Sequence, residues 1–438
     1  MIARLEKYFM FDELHTNWRK ELLAGLTTFV SMCYVLFVIP SMLAQAGMDK
    51  GAVFTATALA SALGCIVMGA YARYPAGLAP SLGANAFFVF TVCISMKIPW
   101  QTALAGSFVA SVIFLLITIF KLREMIINAI PADLKSAISA GIGMFIAFIG
   151  LKNGGLIVAS KSTAVALGNL TDPATMLTCL GLIVTVILMI KKVPGGIFVG
   201  MVITTAVGMA TKLIALPTAI MSGAPSMAPT FGEAIKNLHN INTVQMWVVV
   251  IIFLLVTFFD TAGTLVALAY QAGFMKDNEL PRAGQALMSD SSAMLVGSIL
   301  GTSPVGTYVE SSAGIAVGGR SGMTGVFTGI FFIIGMFFSP LLAVITNSVT
   351  APALIIVGVL MASNMAKVHW DDFEIAVPSF LVIIGMPLTY SIANGMALGM
   401  IAYPITMLAA KRGKEVSPIM YVLAVIFICF LWIISREA

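Results

Sequence analysis

Two long stretches of the chain carry no charge at all. Residues 321–366 run for 46 positions without Asp, Glu, Lys or Arg, and residues 375–410 run for 36. A helix crossing a bilayer needs about 20 apolar residues, so each run is long enough for two crossings. Neither run shows the ten-residue alternation of a membrane barrel strand. The whole chain of 438 residues is 59% hydrophobic and 10% charged, where a soluble domain carries about 25% charge. The expected fold class is therefore an all-α polytopic membrane protein. The 28 Met and 28 Phe are read as lipid-facing and helix-packing material, not as a copper site. The net charge of +5 is spread over short loops, so no nucleic-acid partner is expected. Five cysteines stand singly in apolar segments, which leaves neither a metal site nor a disulfide framework. The first 21 residues hold eight charges, from Arg4 to Glu21. The first apolar span is thus expected to act as its own insertion signal, with no cleaved peptide.

Within this apolar chain two carboxylates stand alone. Glu310 lies in residues 302–319, TSPVGTYVESSAGIAVGG, a small and hydroxylated stretch with no other charge. Asp260 lies within residues 245–275, which hold no other charge. An ionisable group inside a bilayer is costly, and is a functional candidate by default. The alternative for each is a carboxyl held structurally by backbone donors.

Taken in order, residues 2–21 read as an amphipathic lead lying at the interface, and spans follow at 22–39 and 54–71. Residues 74–90, YPAGLAPSLGANAFFVF, place two prolines and two glycines within ten positions. That excludes a regular helix from the start. The reading is an extended piece over 74–79 and a helix beginning near Pro80 or Ser81, with Asn85 one turn in. Further spans are expected at 100–120, 138–151, 176–190, 194–210, 245–270, 284–300, 322–338, 341–365 and 416–434. A second broken segment is extended over 302–309 and helical over 310–317. Asp290 falls in the ninth segment. Lys and Arg at 19, 20, 73, 121, 123, 191, 192, 276 and 282 alternate with this count and mark one side as cytoplasmic, with the N-terminus there. The basic cluster at 411–414 joins that side only if residues 375–410 turn back on themselves, and the sequence leaves this open.

The two broken segments share a P-x-G step, at Pro75 and Pro304, and the spacing from Pro75 to Ser81 equals that from Pro304 to Glu310. Paired interrupted segments in corresponding halves point to the central site of a transporter. A helix that starts inside the membrane leaves free N–H groups that suit an anion or a polar ligand.

A family resemblance rests on FDELHTNWRKELLAGLTTFVSMCYVLFVIP at 11–40, LAPSLGANAFF at 78–88, FFDTAGTL at 258–265, GTSPVGTYVESSAGIAVGGRSGMTG at 301–325, APALIIVGVLM at 351–361 and MPLTYSIANGMALG at 386–399. In their order and spacing these pieces resemble the AzgA-like branch of the nucleobase/cation symporter-2 (NCS2) family, the adenine–guanine–hypoxanthine permeases. The resemblance spans essentially the whole chain. It implies 14 transmembrane segments in two inverted repeats of seven (the UraA-like fold), with segments 3 and 10 part strand and part short helix. The first repeat would cover 1–215, an extracytoplasmic connector 216–244, and the second repeat 245–438. Segments 1–4 and 8–11 would form a core domain. Segments 5–7 and 12–14 would form a gate domain, through which a homodimer is expected.

The resemblance also assigns roles. Asp260 and Glu310 match the carboxylates that face the base, Asn85 matches the asparagine of the third-segment motif, and Asp290 matches an aspartate that tunes coupling. Thr257 stands where the family usually carries a second aspartate, which bears on purine preference and coupling. Ser81 and Ala84 depart from the family's glycine and leucine in the third-segment motif. The expected substrate-binding set is Ser81, Gly83, Asn85, Thr257, Phe259, Asp260, Thr307, Glu310 and Ser311. A carboxylate accepts from adjacent ring N–H and amine groups of a purine, an asparagine both donates and accepts, and Phe259 is a stacking candidate.

The function implied is import of purine nucleobases across the inner membrane by proton symport, with Asp260, Glu310 and Asp290 as the coupling groups. Leaving water costs the charged form of a carboxyl most, so such a group can take a proton on one face and release it on the other. Another nucleobase, such as xanthine, urate or uracil, is the alternative. Sulfate or bicarbonate carriage would favour a cationic site. No cofactor or metal is expected, because His15, His239 and His369 are far apart and outside the spans. An enzyme is therefore not expected, and the absence of a filter-like repeat argues against a channel.

Overall fold

The computed structural model describes residues 2–120, 130–217, 219–272 and 282–437. The loop charges Lys121, Arg123, Lys276, Asp277 and Glu279 lie outside the described residues, as do the side chains of Phe258, Phe259 and Asp260. Among the described residues, eight helices are long and apolar enough to cross a membrane, from Trp18–Ala46 to Ile392–Ala409. Shorter apolar helices include Leu82–Ser95, Gly196–Ala210 and Phe373–Leu388. This is a polytopic helical architecture of membrane type, as the uncharged runs require. Two helices, Pro173–Ile190 and Gly322–Ala343, leave most of their surface outside the protein. Ile183, Ile187, Ile190, Ile330 and Ile334 are exposed there, a surface suited to hydrocarbon.

Lipid tails are as apolar as the side chains, so helix contact relies on close packing of small residues. Two sets of helices show such contacts. In one, Lys50–Val67 and its continuation Met68–Ala72 pack on Gly322–Gly335. A Cβ on Gly69 there would stand 2.3 Å from the Gly322 carbonyl oxygen. In the other, Ala132–Asn153 packs on Asn347–Ala362 and Phe373–Leu388. A Cβ on Gly358 there would stand 2.5 Å from the Gly143 carbonyl oxygen. Any side chain at either glycine forces the helices apart.

The structure departs from the expected segments at the N-terminal lead, at 341–346 and at a hairpin, and it gives the course of the one stretch the sequence left open. The lead is helical only over Ile2–Tyr8. Phe9 and Phe11 are buried in the protein, and the Phe11 ring meets Trp18 edge-on at 5.2 Å. The helix restarts at Trp18, four residues before the expected span, because the Asn17 side chain accepts the Lys20 N–H and caps it. The stretch at 341–343 belongs to the end of the preceding helix, a 3-10 run Met336–Ala343 that contains Pro340; residues 344–346 form a turn, and the next helix begins at Asn347. A small hairpin, Ile157–Ser160 with Ala164–Leu167, joins two spans where no element was expected. Finally, residues 375–410 double back. Phe373–Leu388 and Ile392–Ala409 pack antiparallel, with Gly385 against Gly395 and Gly399 against Val382. Arg412 at the far end donates to Glu374 at the near end, at 2.6 Å.

One buried carboxylate serves a distant helix start. Glu21 is fully buried and accepts from the N–H groups of Arg320, Ser321 and Thr324, each at 3.1 Å. It also accepts the hydroxyls of Thr16, at 2.6 Å, and Thr324, at 2.5 Å. These are the donors at the start of the helix Gly322–Gly335, so Glu21 caps a helix 300 residues away.

Candidate functional site

The two P-x-G steps meet in the middle of the molecule. Leu78–Pro80 pairs antiparallel with Val305–Thr307, in the register Leu78 with Thr307, Ala79 with Gly306 and Pro80 with Val305. Ser81 N–H donates to the Pro304 carbonyl at 2.8 Å, and Tyr308 N–H to the Gly77 carbonyl at 3.0 Å. Side chains extend the clasp: the Ser311 hydroxyl accepts Gly77 N–H at 2.8 Å, and the Tyr308 hydroxyl donates to the Pro80 carbonyl at 2.5 Å. Both strands are fully buried. Non-helical backbone at membrane depth survives only under such enclosure. The prolines and glycines thus place a strand pair where helices are the rule.

From this clasp two helices run outward. Ser81 caps the first, Leu82–Ala86, through its hydroxyl and the Ala84 N–H. That helix continues as a π-helix over Phe87–Ser95. The second, Ser311–Ala316, is six residues long and follows Glu310, whose side chain makes no cap hydrogen bond. Gly318, at φ 108°, sits just beyond it, in a backbone region that favours glycine.

Glu310 is half-buried and accepts the Tyr34 hydroxyl at 2.7 Å. It lies where two cavities adjoin. A small cavity of about 60 Å³ is lined by Tyr34, Leu82, Gly83, Thr307, Tyr308 and Glu310. A large cavity of about 930 Å³ is lined by Glu310 and Ser312 from the clasp side and, across from them, by Lys135, Lys192, Val357 and Lys367. Thr264, Val357 and Met361 border both. The large cavity ends at the side that carries Lys192. On the opposite side Tyr390 closes against Phe90 at 5.7 Å and Phe145 at 5.6 Å, with Lys152 Nζ 4.5 Å from its ring. The Thr91 hydroxyl also accepts the Ile392 N–H at 3.3 Å.

Of the expected site residues, Gly83, Thr307 and Glu310 line the small cavity. Ser81 and Ser311 are buried in the clasp just described. Asn85 is fully buried; its Nδ2 donates to Met42 Sδ at 3.3 Å, and its Oδ1 has no partner among the described residues. Thr257 is buried, and its hydroxyl donates to the Phe253 carbonyl of its own helix. Asp290 accepts the hydroxyls of Thr261 at 2.9 Å and Thr307 at 3.2 Å, so it reaches the small cavity through Thr307. The backbones of Phe259 and Asp260 fall in the helix Val244–Ala272, and their side chains are outside the described residues. Tyr34, Thr264, Val357 and Met361 were not singled out from the sequence. A tyrosine at a break between helices, here between Met32 and Val35, was the one available signal.

Among the described residues no cluster of His, Cys, Asp and Glu forms a metal site.

A broken-segment clasp with an acidic group facing a one-sided cavity defines the class: a multi-pass membrane protein built around a central polar site. The profile of the permease family Xan_ur_permease matches residues 19–398. The chain belongs to that family. It is 54% identical to the guanine/hypoxanthine permease PbuG of Bacillus subtilis, over 97% of this chain and 99% of that one. It is 40% identical to the adenine permease AdeP of Escherichia coli, over 97% and 95%. Among solved structures, the transmembrane domain of the cyanobacterial bicarbonate transporter BicA superposes with a TM-score of 0.60 at 14% identity, over 90% of this chain and 97% of that one. That likeness concerns the fold alone.

Proposed function

We propose that the protein imports purine nucleobases (adenine, guanine or hypoxanthine) by alternating access, coupled to proton entry. The similarity to guanine/hypoxanthine and adenine permeases along almost the full length supports the substrate class. The single observation that carries the mechanism is the position of Glu310 at the wall common to both cavities. The small cavity alone holds only a few water molecules. A bicyclic base therefore lies across the junction, with Glu310 accepting from its N–H edge and the N–H groups of Leu82 and Gly83 donating to its other edge. Asp260 faces the same base from its own helix. Protons are exchanged by Asp260 and Glu310 as a pair, and Asp290 adjusts them through Thr307.

The Lys192 side is read as cytoplasmic because lysine and arginine gather there, and Arg412 joins it through Glu374. The N-terminus lies on that side, and the membrane is the inner membrane. The state described is then inward-open, with Tyr390 and Phe90 sealing the outer path. The helices from Ala132 to Ala210 and from Asn347 onward serve as the gate domain that rocks against the core and supplies a homodimer contact. Two inverted repeats of seven segments fit the antiparallel clasp, because Leu78 and Thr307 pair and each stands third after its own proline, Pro75 or Pro304.

Competition decides the substrate. Labelled hypoxanthine uptake is expected to fall with unlabelled adenine, guanine or hypoxanthine and to be indifferent to uracil and xanthine. Stronger competition by uracil, xanthine or urate overturns the assignment. A protonophore is expected to abolish accumulation, and removal of Na⁺ to change nothing.

A further inference from the structure

The route from Glu310 to the surface is more cationic than an uncharged base requires. Lys135, Lys192 and Lys367 line the large cavity, and Glu310 is the one carboxylate on its wall among the described residues. None of the three ammonium groups has a carboxylate partner among the described residues. Lysine bias toward one membrane face accounts for Lys192 and Lys367, which sit at helix ends and are exposed. It does not account for Lys135, which lies one turn inside the helix Ala132–Asn153 and is half-buried. Ser136, Ser139 and Asn364 stand beside it on the cavity wall, and Asn364 Nδ2 donates to Ser139 Oγ at 3.0 Å. Across the cavity the Ser31 hydroxyl is buried, with Ser31 6% exposed, and has no partner among the described residues. Cations gathered around a cleft with low-dielectric walls focus a field that concentrates anions. A half-buried ammonium without a partner is a standing cost that a bound anion relieves.

We propose that the large cavity is a binding site for a purine nucleoside 5′-monophosphate, which occupies the inward-open state and slows uptake. The base points to Glu310, the ribose crosses the serine-lined middle, and the phosphate sits among Lys135, Lys192 and Lys367. The volume of about 930 Å³ exceeds what a free base needs and accommodates a base, a sugar and a phosphate. A reaction that transfers a ribose phosphate onto the imported base makes a ligand of this class on the side to which the cavity opens. The proposal rests on the purine reading and on the Lys192 side being cytoplasmic.

The test uses the full-length protein in right-side-out vesicles, with inosine 5′-monophosphate, inosine or inorganic phosphate sealed inside. Lumenal inosine 5′-monophosphate is expected to slow hypoxanthine uptake about tenfold, in the usual range of coupling between ligands. Inosine or phosphate at the same concentration is expected to have little effect. Lys135→Ala combined with Lys192→Ala and Lys367→Ala is expected to abolish the inhibition. Equal inhibition by phosphate reduces the site to a plain anion site and overturns the proposal, as does inhibition that survives the lysine changes. A thermal-stability shift of the purified protein with inosine 5′-monophosphate, lost in the lysine variant, reads the site without transport. If no purine is taken up, the functional reading fails, and that shift alone decides the nucleotide site.

Discussion

The two broken segments start from the same P-x-G step and end as different objects. The first is capped by its own Ser81, continues as a π-helix to Ser95, and is buried through Val92. The second has Glu310 at its start, stops after six residues at Ala316, and exposes Val309 and Val317. One half therefore supplies a rigid wall, and the other presents a charge to an open space. The difference shows that a repeated backbone device does not fix the chemistry placed on it. A serine caps its own helix start, whereas a carboxylate that does not cap stays on the cavity wall, and the Ser311, Ser312 and Ala313 N–H groups are taken by the Tyr308, Val309 and Glu310 carbonyls.

The comparison makes unequal demands on the two starts. Glu310→Gln keeps the size and removes the charge, and hypoxanthine uptake is expected to fall at least about a hundredfold, the scale of losing a charged partner to a bound ligand. Surface labelling is expected to show the variant in the membrane, and near-normal uptake breaks the asymmetry at once. Asp260→Asn is expected to abolish uphill transport driven by an imposed pH gradient in proteoliposomes, while exchange of base for base persists. Uphill uptake by that variant leaves Glu310 to carry the proton alone. Ser81→Ala removes only a cap, so the expected cost is about 1 kcal/mol of stability with purine ranking unchanged.

Cysteine labelling sharpens the geometry. Leu82→Cys, on the small cavity, and Ser312→Cys, on the large one, are both expected to be protected from a thiol reagent by bound purine. Protection of Ser312→Cys alone places the base wholly within the large cavity, and protection of Leu82→Cys alone shows that the small cavity widens to admit it. Thr257→Asp offers a finer contrast. The family pattern leads one to expect a changed ranking of adenine, guanine and hypoxanthine. The hydroxyl bonded to Phe253 favours lower expression with the ranking kept, and uptake by competition separates the two.

The smallest effect lies far from either start. The Asp133 carboxylate accepts from the His369 backbone N–H and faces its ring Nδ1, both at 2.8 Å. That hydrogen bond and charge raise the His369 pKa above its ordinary 6.5. The stabilisation from the charged ring is therefore complete below that ordinary value and is lost as pH rises through the elevated one, while the backbone hydrogen bond remains. Asp133→Asn is expected to return the His369 titration, followed by NMR, toward the ordinary value.

Much of this was legible in the chain. The uncharged runs specify membrane helices, because nothing else removes charge for 46 residues. The clustered prolines and glycines specify two breaks, because several of them within ten residues do not sustain a helix. The extended-then-helical form of each break was legible as well, but the register of their pairing was not, since it joins residues more than two hundred positions apart. The doubling back of 375–410 was left open because Pro387 marks a break without its direction, and the pairing of Arg412 with Glu374 supplies it. Glu21 was read with the other charges of the lead. Its partners are backbone N–H groups and two threonine hydroxyls, which leave no mark in sequence. Asn85 illustrates the reverse case: the motif draws attention to it, while its amide nitrogen rests on Met42.

Glu21 also sets a schedule. Its three backbone donors do not exist until residues 320–324 have been made, some 300 residues later. At about 5–20 residues per second, the first helix waits roughly 15–60 seconds for the groups that satisfy its carboxylate. Through that interval the segment needs water, lipid headgroups or the insertion machinery as a temporary partner. The fold is therefore closed by a late arrival, and a chain interrupted before residue 324 would hold an early segment that has no reason to stay in place.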